Sequence, residues 1–177
     1  MSRSLLDDAF AHHVWATARI IDACLPLSPE QLATGASGTY GSIIDTLRHL
    51  VDGDAFYLYG LTGDRARVIN TEGMDLRELQ SAMKTNGATW SQLLAQNPDA
   101  DAVTLERDDD GFERRATMGI RFAQALYHGI DHRSQVCTSL TQLDVEPPDI
   151  QVWEYGLQSG RSVESIPDQR PKSSTAT

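Results

Sequence analysis

An all-α four-helix bundle, with a small β-hairpin insert before the last long helix, is the fold this sequence predicts. Apolar residues recur at three- and four-residue steps in four separate long stretches. Proline, glycine or capping residues bound each stretch. One segment, residues 102–117, abandons that period for two short β-type runs around Asp-Gly.

Residues 4–25 predict the first helix, with Leu6, Phe10, His13, Val14, Thr17, Ile20, Ile21 and Cys24 on one stripe and Pro26 and Pro29 stopping it. Ser28–Tyr40 is expected to be a loop with room for one short turn from Ser28, since Gly35 and Gly38 oppose a long helix. The second helix starts near Ser42, where Ser42-x-x-Asp45 has the form of a capping box with Asp in place of Glu. It carries Ile43, Ile44, Leu47, Leu50, Val51 and Leu58 to about Tyr59, and Gly60 and Gly63 are expected to end it. Residues 61–72 form a connector. The third helix runs from about Met74 to Gln96, opened by Asp75-x-x-Glu78 and closed by Asn97-Pro98. Its stripe of Leu76, Leu79, Met83, Trp90, Leu93 and Leu94 is weaker, interrupted by Gly87. Val103–Arg107 and Phe112–Thr117 predict the hairpin. Asp108–Gly111 lacks the alternating acids and closing Glu of a calcium loop and is a turn. The last long helix spans Met118–Leu143, and after Pro147-Pro148 comes a shorter apolar segment, Ile150–Gln158. This gives one domain over residues 1–160. Residues 161–177, rich in Ser, Thr, Pro, Lys and Arg, predict a disordered tail.

Charge narrows the partners. The net charge is -10 with a pI near 4.8, and the densest basic pair, Arg114–Arg115, sits beside Glu113. Such a surface repels phosphate backbones, so nucleic acid is not an expected partner. The N-terminus lacks the apolar core of a signal peptide, and no run approaches the roughly 18 apolar residues of a membrane span. A soluble, cytoplasmic protein is expected. Cys24 and Cys137 show no ligand-like spacing and no partnered base, so they predict reduced thiols rather than nucleophiles.

The chemistry lies in the histidines. His128 and His132 stand at i,i+4, one turn apart on the same side of the last long helix and about 40° apart around its axis. They fall at the margin of a stripe formed by Met118, Phe122, Ala125, Gly129, Val136 and Leu140. Such a pair can offer two nitrogens to one metal ion, although pairs at this spacing also arise by chance. His49 projects nearly opposite the apolar stripe of its helix, which leaves two readings: a solvated imidazole, or a second buried face with a pocket on it. His13 lies on a core stripe, where a hydrogen-bonded core histidine is the ordinary case, and His12 points away from that stripe.

Leu47-Arg48-His49-Leu50, followed by His128-x-x-x-His132-Arg133-Ser134-Gln135-Val136, resembles the DinB/YfiT-like family over about residues 5–158. Trp15, Gly41-Ser42-Ile43, Leu140, Pro147-Pro148-Asp149 and Tyr155 support the resemblance. It implies a DinB-like four-helix bundle, a homodimer, and a divalent metal, zinc or nickel, on His49, His128 and His132. It further implies a metal-dependent enzyme in which an activated water or low-molecular-weight thiol attacks a small electrophilic substrate, as a hydrolase or thiol S-transferase. A non-catalytic, stress-related metal-binding dimer is the alternative. Asp45, Asp131 and Gln135 are then candidates for orienting imidazoles. Arg133 is open to anchoring a carboxylate or pairing with a nearby acid, and His13 to joining the pocket, because His12-His13-Val14-Trp15 replaces the Asn-rich first-helix motif common in that family.

Overall fold

Stripes of apolar side chains at helical spacing drive four long helices together, and the computed structural model describes the result for residues 5–107 and 110–165. The helices are α1 (Leu5–Cys24), the single turn α2 (Pro29–Leu32), α3 (Ile43–Thr62), α4 (Leu76–Ala95), α5 (Met118–Gln142) and α6 (Val152–Gln158). A 3-10 turn, Arg65–Arg67, follows α3, and β1 (Val103–Arg107) pairs antiparallel with β2 (Glu113–Thr117). The bundle and the hairpin directly before α5 are as the sequence predicts. Among the described residues, no helix is long and apolar enough to cross a membrane.

Capping sets the helix starts. The Ser42 hydroxyl accepts the Asp45 N–H, and Asp75 and Glu78 form a reciprocal capping box that starts α4 at Leu76. The expected stop at Gly60 is corrected: α3 runs on to Thr62 and ends at Gly63. Gly60 serves close approach rather than termination, since a Cβ there would stand 2.5 Å from Glu106 Oε2 and 2.8 Å from Arg121 Nη1. Asp108 and Asp109 of the expected turn lie outside the described residues, as does the expected tail from residue 166 onward. Residues 161 and 162 fold back: Arg161 pairs with Asp8 of α1, and both backbone N–H groups donate to the Gly156 carbonyl.

Around the bundle the packed neighbours run α1–α4–α3–α5 and back to α1. Consecutive long helices α1 and α3 are therefore diagonal, as are α4 and α5, which the long connections permit. The apolar interior falls into two clusters. One holds Ile20, Ile43, Leu47, Leu50, Leu79, Met83, Val136 and Leu140, and the other Phe10, Leu58, Trp90, Leu94 and Phe122. Side chains from each of the four long helices separate them in a buried polar layer: His13 and Thr17, Asp54, Asn86, and Arg133.

The hairpin is held by charge. Glu106 occupies an inward position on β1, only 1% exposed, and accepts from Arg114 Nη1 at 2.8 Å and from buried Arg121. Arg121 Nη2 donates in turn to the Arg114 carbonyl at 2.9 Å. Glu106→Gln keeps the shape but removes the charge beside two guanidinium groups. It is expected to cost about 1.5–3 kcal/mol in urea unfolding, and a loss under about 0.5 kcal/mol would show that the pair is structurally idle.

Candidate metal centre

The seam between α3 and α5 brings the three candidate histidines together. Their ligand-capable nitrogens all lie within 4.8 Å of one another. His49 Nε2 and His128 Nε2 stand 3.1 Å apart. The ring centroids are 4.9 Å (His49–His128), 4.7 Å (His49–His132) and 4.4 Å (His128–His132) apart, with interplanar angles of 63°, 85° and 70°. The rings meet edge to face around a common centre. Two nitrogens each about 2.1 Å from one ion stand roughly 3.0–3.4 Å apart for right-angle to tetrahedral geometry, so the His49–His128 separation fits a shared cation.

Each ring is oriented by a partner. His132 Nδ1 lies 3.0 Å from Gln135 Oε1, and a carbonyl oxygen only accepts, so Nδ1 carries the proton and Nε2 is left with its lone pair. The same Oε1 accepts the Tyr40 backbone N–H at 3.0 Å. The Tyr40 ring stacks on His49 at 4.0 Å and 9°, and Tyr57 packs edge-on to His128 at 5.2 Å. Burial lowers the His128 pKa to about 4, assisted by its histidine neighbours, and burial likewise lowers that of His49. Both imidazoles are therefore uncharged at neutral pH, the form that binds metal.

Of the residues proposed to orient the imidazoles, Gln135 does so. Asp45 instead accepts the Ser42 hydroxyl at 2.6 Å and lies 3.8 Å from Arg48, and Asp131 is exposed. His13 is the hydrogen-bonded core histidine that its stripe position predicts, and Arg133 takes neither of its two expected roles. His13 does not reach the histidine cluster: it is 1% exposed, with Nε2 2.9 Å from Asp54 Oδ1 and Nδ1 2.9 Å from Arg133 Nη1. Arg133 is neither a surface ion-pair partner nor a carboxylate anchor, being 2% exposed and also donating to Thr17 Oγ1 at 3.1 Å. Because Arg133 can only donate, His13 Nδ1 accepts and His13 Nε2–H donates to Asp54. An uncharged imidazole thus bridges a buried cation and a buried carboxylate, and Trp90 Nε1 adds donations to both Asp54 oxygens at 3.0 Å. Burial also disposes of the cysteines as nucleophiles, raising the Cys24 thiol to about 12 and Cys137 above its usual range.

Glycines link the two layers. A Cβ on Gly53 would fall 2.7 Å from His128 Cε1, and one on Gly129 would fall 2.4 Å from His13 Cε1. Each imidazole occupies a notch in the facing helix. Gly53→Ala therefore separates two effects of opposite sign. Helix propensity favours Ala by up to about 1 kcal/mol, while displacement of His128 is expected to lower metal affinity about 10–100-fold. Thermal unfolding of the metal-free protein and a zinc-competition titration measure the two independently, and unchanged affinity would mean the notch does not set the ring.

Sequence reasoning missed Tyr40 as a site residue, since a loop aromatic carries no periodic signal. The model of the DinB family matches residues 1–161. No curated protein matches the chain.

Proposed function

We propose, from the premise that this chain belongs to the DinB family, that His49, His128 and His132 hold one divalent ion, zinc or nickel, in a centre that serves a small-molecule reaction. The convergence of the three imidazoles from two helices carries this reading. The donor set suits it: three neutral imidazoles match borderline ions and leave room for a further ligand. A divalent ion bound there supplies Lewis-acid chemistry, bringing the pKa of water or a thiol toward neutrality.

The chain's own residues define the rest. Gln135 fixes the His132 tautomer and ties it to the backbone of the Tyr40 loop. Tyr40 covers one face of His49 and Tyr57 supports the edge of His128, which limits the rotation of both rings. A cavity of about 730 Å³ opens beside His49 and is large enough for a small substrate. Neither cysteine thiol competes, since burial raises the pKa of both, so a hydrolytic or thiol-transfer reaction draws its nucleophile from solvent or a low-molecular-weight thiol.

Protein purified without chelators should carry about one equivalent of divalent metal per chain; less than about a tenth of an equivalent sinks the reading. A non-catalytic staple is the competing role. The adjoining cavity favours the catalytic one, and a panel of thiols with esters and other electrophiles, run on metal-loaded protein, decides between them. Metal-dependent stability without turnover supports the staple.

A further inference from the structure

The wall of the cavity beside His49 is both aromatic and acidic. Tyr40 and Phe56 supply aromatic rings, and Asp45, Asp52 and Glu72 supply carboxylates. Arg48 is the cation on this wall, and its bonds are already made: Nε and Nη2 donate to the Met74 carbonyl at 3.1 and 2.9 Å, and Nη1 faces Asp45. Asp52 differs from Asp45. It sits one turn after His49 on the same face of α3, half-buried, and among the described residues no N–H or O–H donor reaches its carboxylate. Burial alone acts on it, raising its pKa, with no neighbouring cation to offset the loss of hydration.

A carboxylate without a partner, in a cavity that two aromatic rings also line, is the chemistry that receives an organic ammonium group. In the metal-free protein an anionic ligand would meet three carboxylates and an arginine whose bonds are already made. We propose that this cavity binds the ammonium end of an amine-bearing substrate, with Asp52 as the charge partner and Tyr40 and Phe56 as flanking rings. The substrate class is thus a small organic cation, whose other end faces His49. The orientation toward His49 rests on the metal-centre reading, whereas the recognition of the cation does not.

Amide chemical shifts of the full-length ¹⁵N-labelled protein test this, metal-free and zinc-loaded, during titration with benzyltrimethylammonium and with benzylsulfonate at matched ionic strength. The cation should give saturable shifts at the amides of Tyr40, Asp52 and Glu72 and bind at least about fivefold more tightly than the anion. Asp52→Asn should reduce that preference to under about twofold. Equal or tighter binding of the sulfonate, no saturable shifts at those amides, or a preference unchanged in Asp52→Asn would each overturn the proposal. The last result would assign any cation preference to the protein's overall negative charge instead. Zinc stoichiometry in the same samples reads the metal centre separately: cation selectivity without zinc binding removes the metal reading alone, and zinc binding without selectivity removes this one alone.

Discussion

Asp54→Ala is expected to cost about 3–5 kcal/mol of folding stability. Asp54 is 2% exposed and serves as acceptor for Trp90 and His13 from two other helices. Behind His13 stands Arg133, whose pKa burial lowers to about 10 while Asp54 acts to raise it. Arg133 therefore remains charged at neutral pH, and removing Asp54 strands that charge in the bundle interior together with an unanswered indole N–H. The decisive measurement is a double-mutant cycle in urea. If the charge pair works through His13, Asp54→Ala combined with Arg133→Met should cost less than the sum of the two single changes by at least about 1 kcal/mol. Additive losses, or an Asp54→Ala cost below about 1 kcal/mol, would show that the layer is ordinary polar packing.

Why the sequence hid this layer is a matter of direction. The helices were legible because their buried residues repeat at the helical period: Leu76, Leu79, Met83, Trp90, Leu93 and Leu94 are the expected stripe of α4 and are all buried. The same periodicity carries a second signal. His13 and Thr17 on α1, Asp54 on α3 and Arg133 on α5 all occupy stripe positions, and polar groups at core positions of three helices must find one another. Periodicity identifies the inward face but not which inward side chains meet, because the partners are 41 and 120 residues apart in sequence. The candidate centre was more legible. The i,i+4 pair is local geometry, and His49 was conspicuous because the apolar stripe of its own helix did not account for it. Gln135 lies three residues beyond His132 and so was within reach of a helical argument. Tyr40 was not, since its stacking on His49 depends on how an irregular loop returns to the bundle. Gly60 misled for a related reason: a glycine that permits close approach and one that ends a helix look alike in sequence.

His132→Ala is expected to lower zinc affinity about 10²–10³-fold, since a structural zinc site worth roughly 10–16 kcal/mol shares that free energy among about four ligands. His132 is the most buried of the three, at 8% exposure, and the one whose tautomer Gln135 fixes. Metal that binds only the folded state stabilises it by about 4.1 kcal/mol at a thousand times its dissociation constant. A variant weakened a hundredfold retains about 1.4 kcal/mol of that at the same free zinc. The zinc-dependent rise in Tm should therefore shrink to about a third or less, while the metal-free Tm changes little. His49→Ala and His128→Ala should behave alike, because a shared ion couples all three positions. His12→Ala supplies the contrast: its imidazole is hydrogen-bonded to the Ile150 carbonyl at 2.8 Å, on the side of α1 that meets α6, and the zinc response should be intact. Equal loss from His12→Ala, or a full zinc response in His132→Ala, would mean that the ion binds elsewhere and that the meeting of three imidazoles on the α3–α5 seam is packing alone.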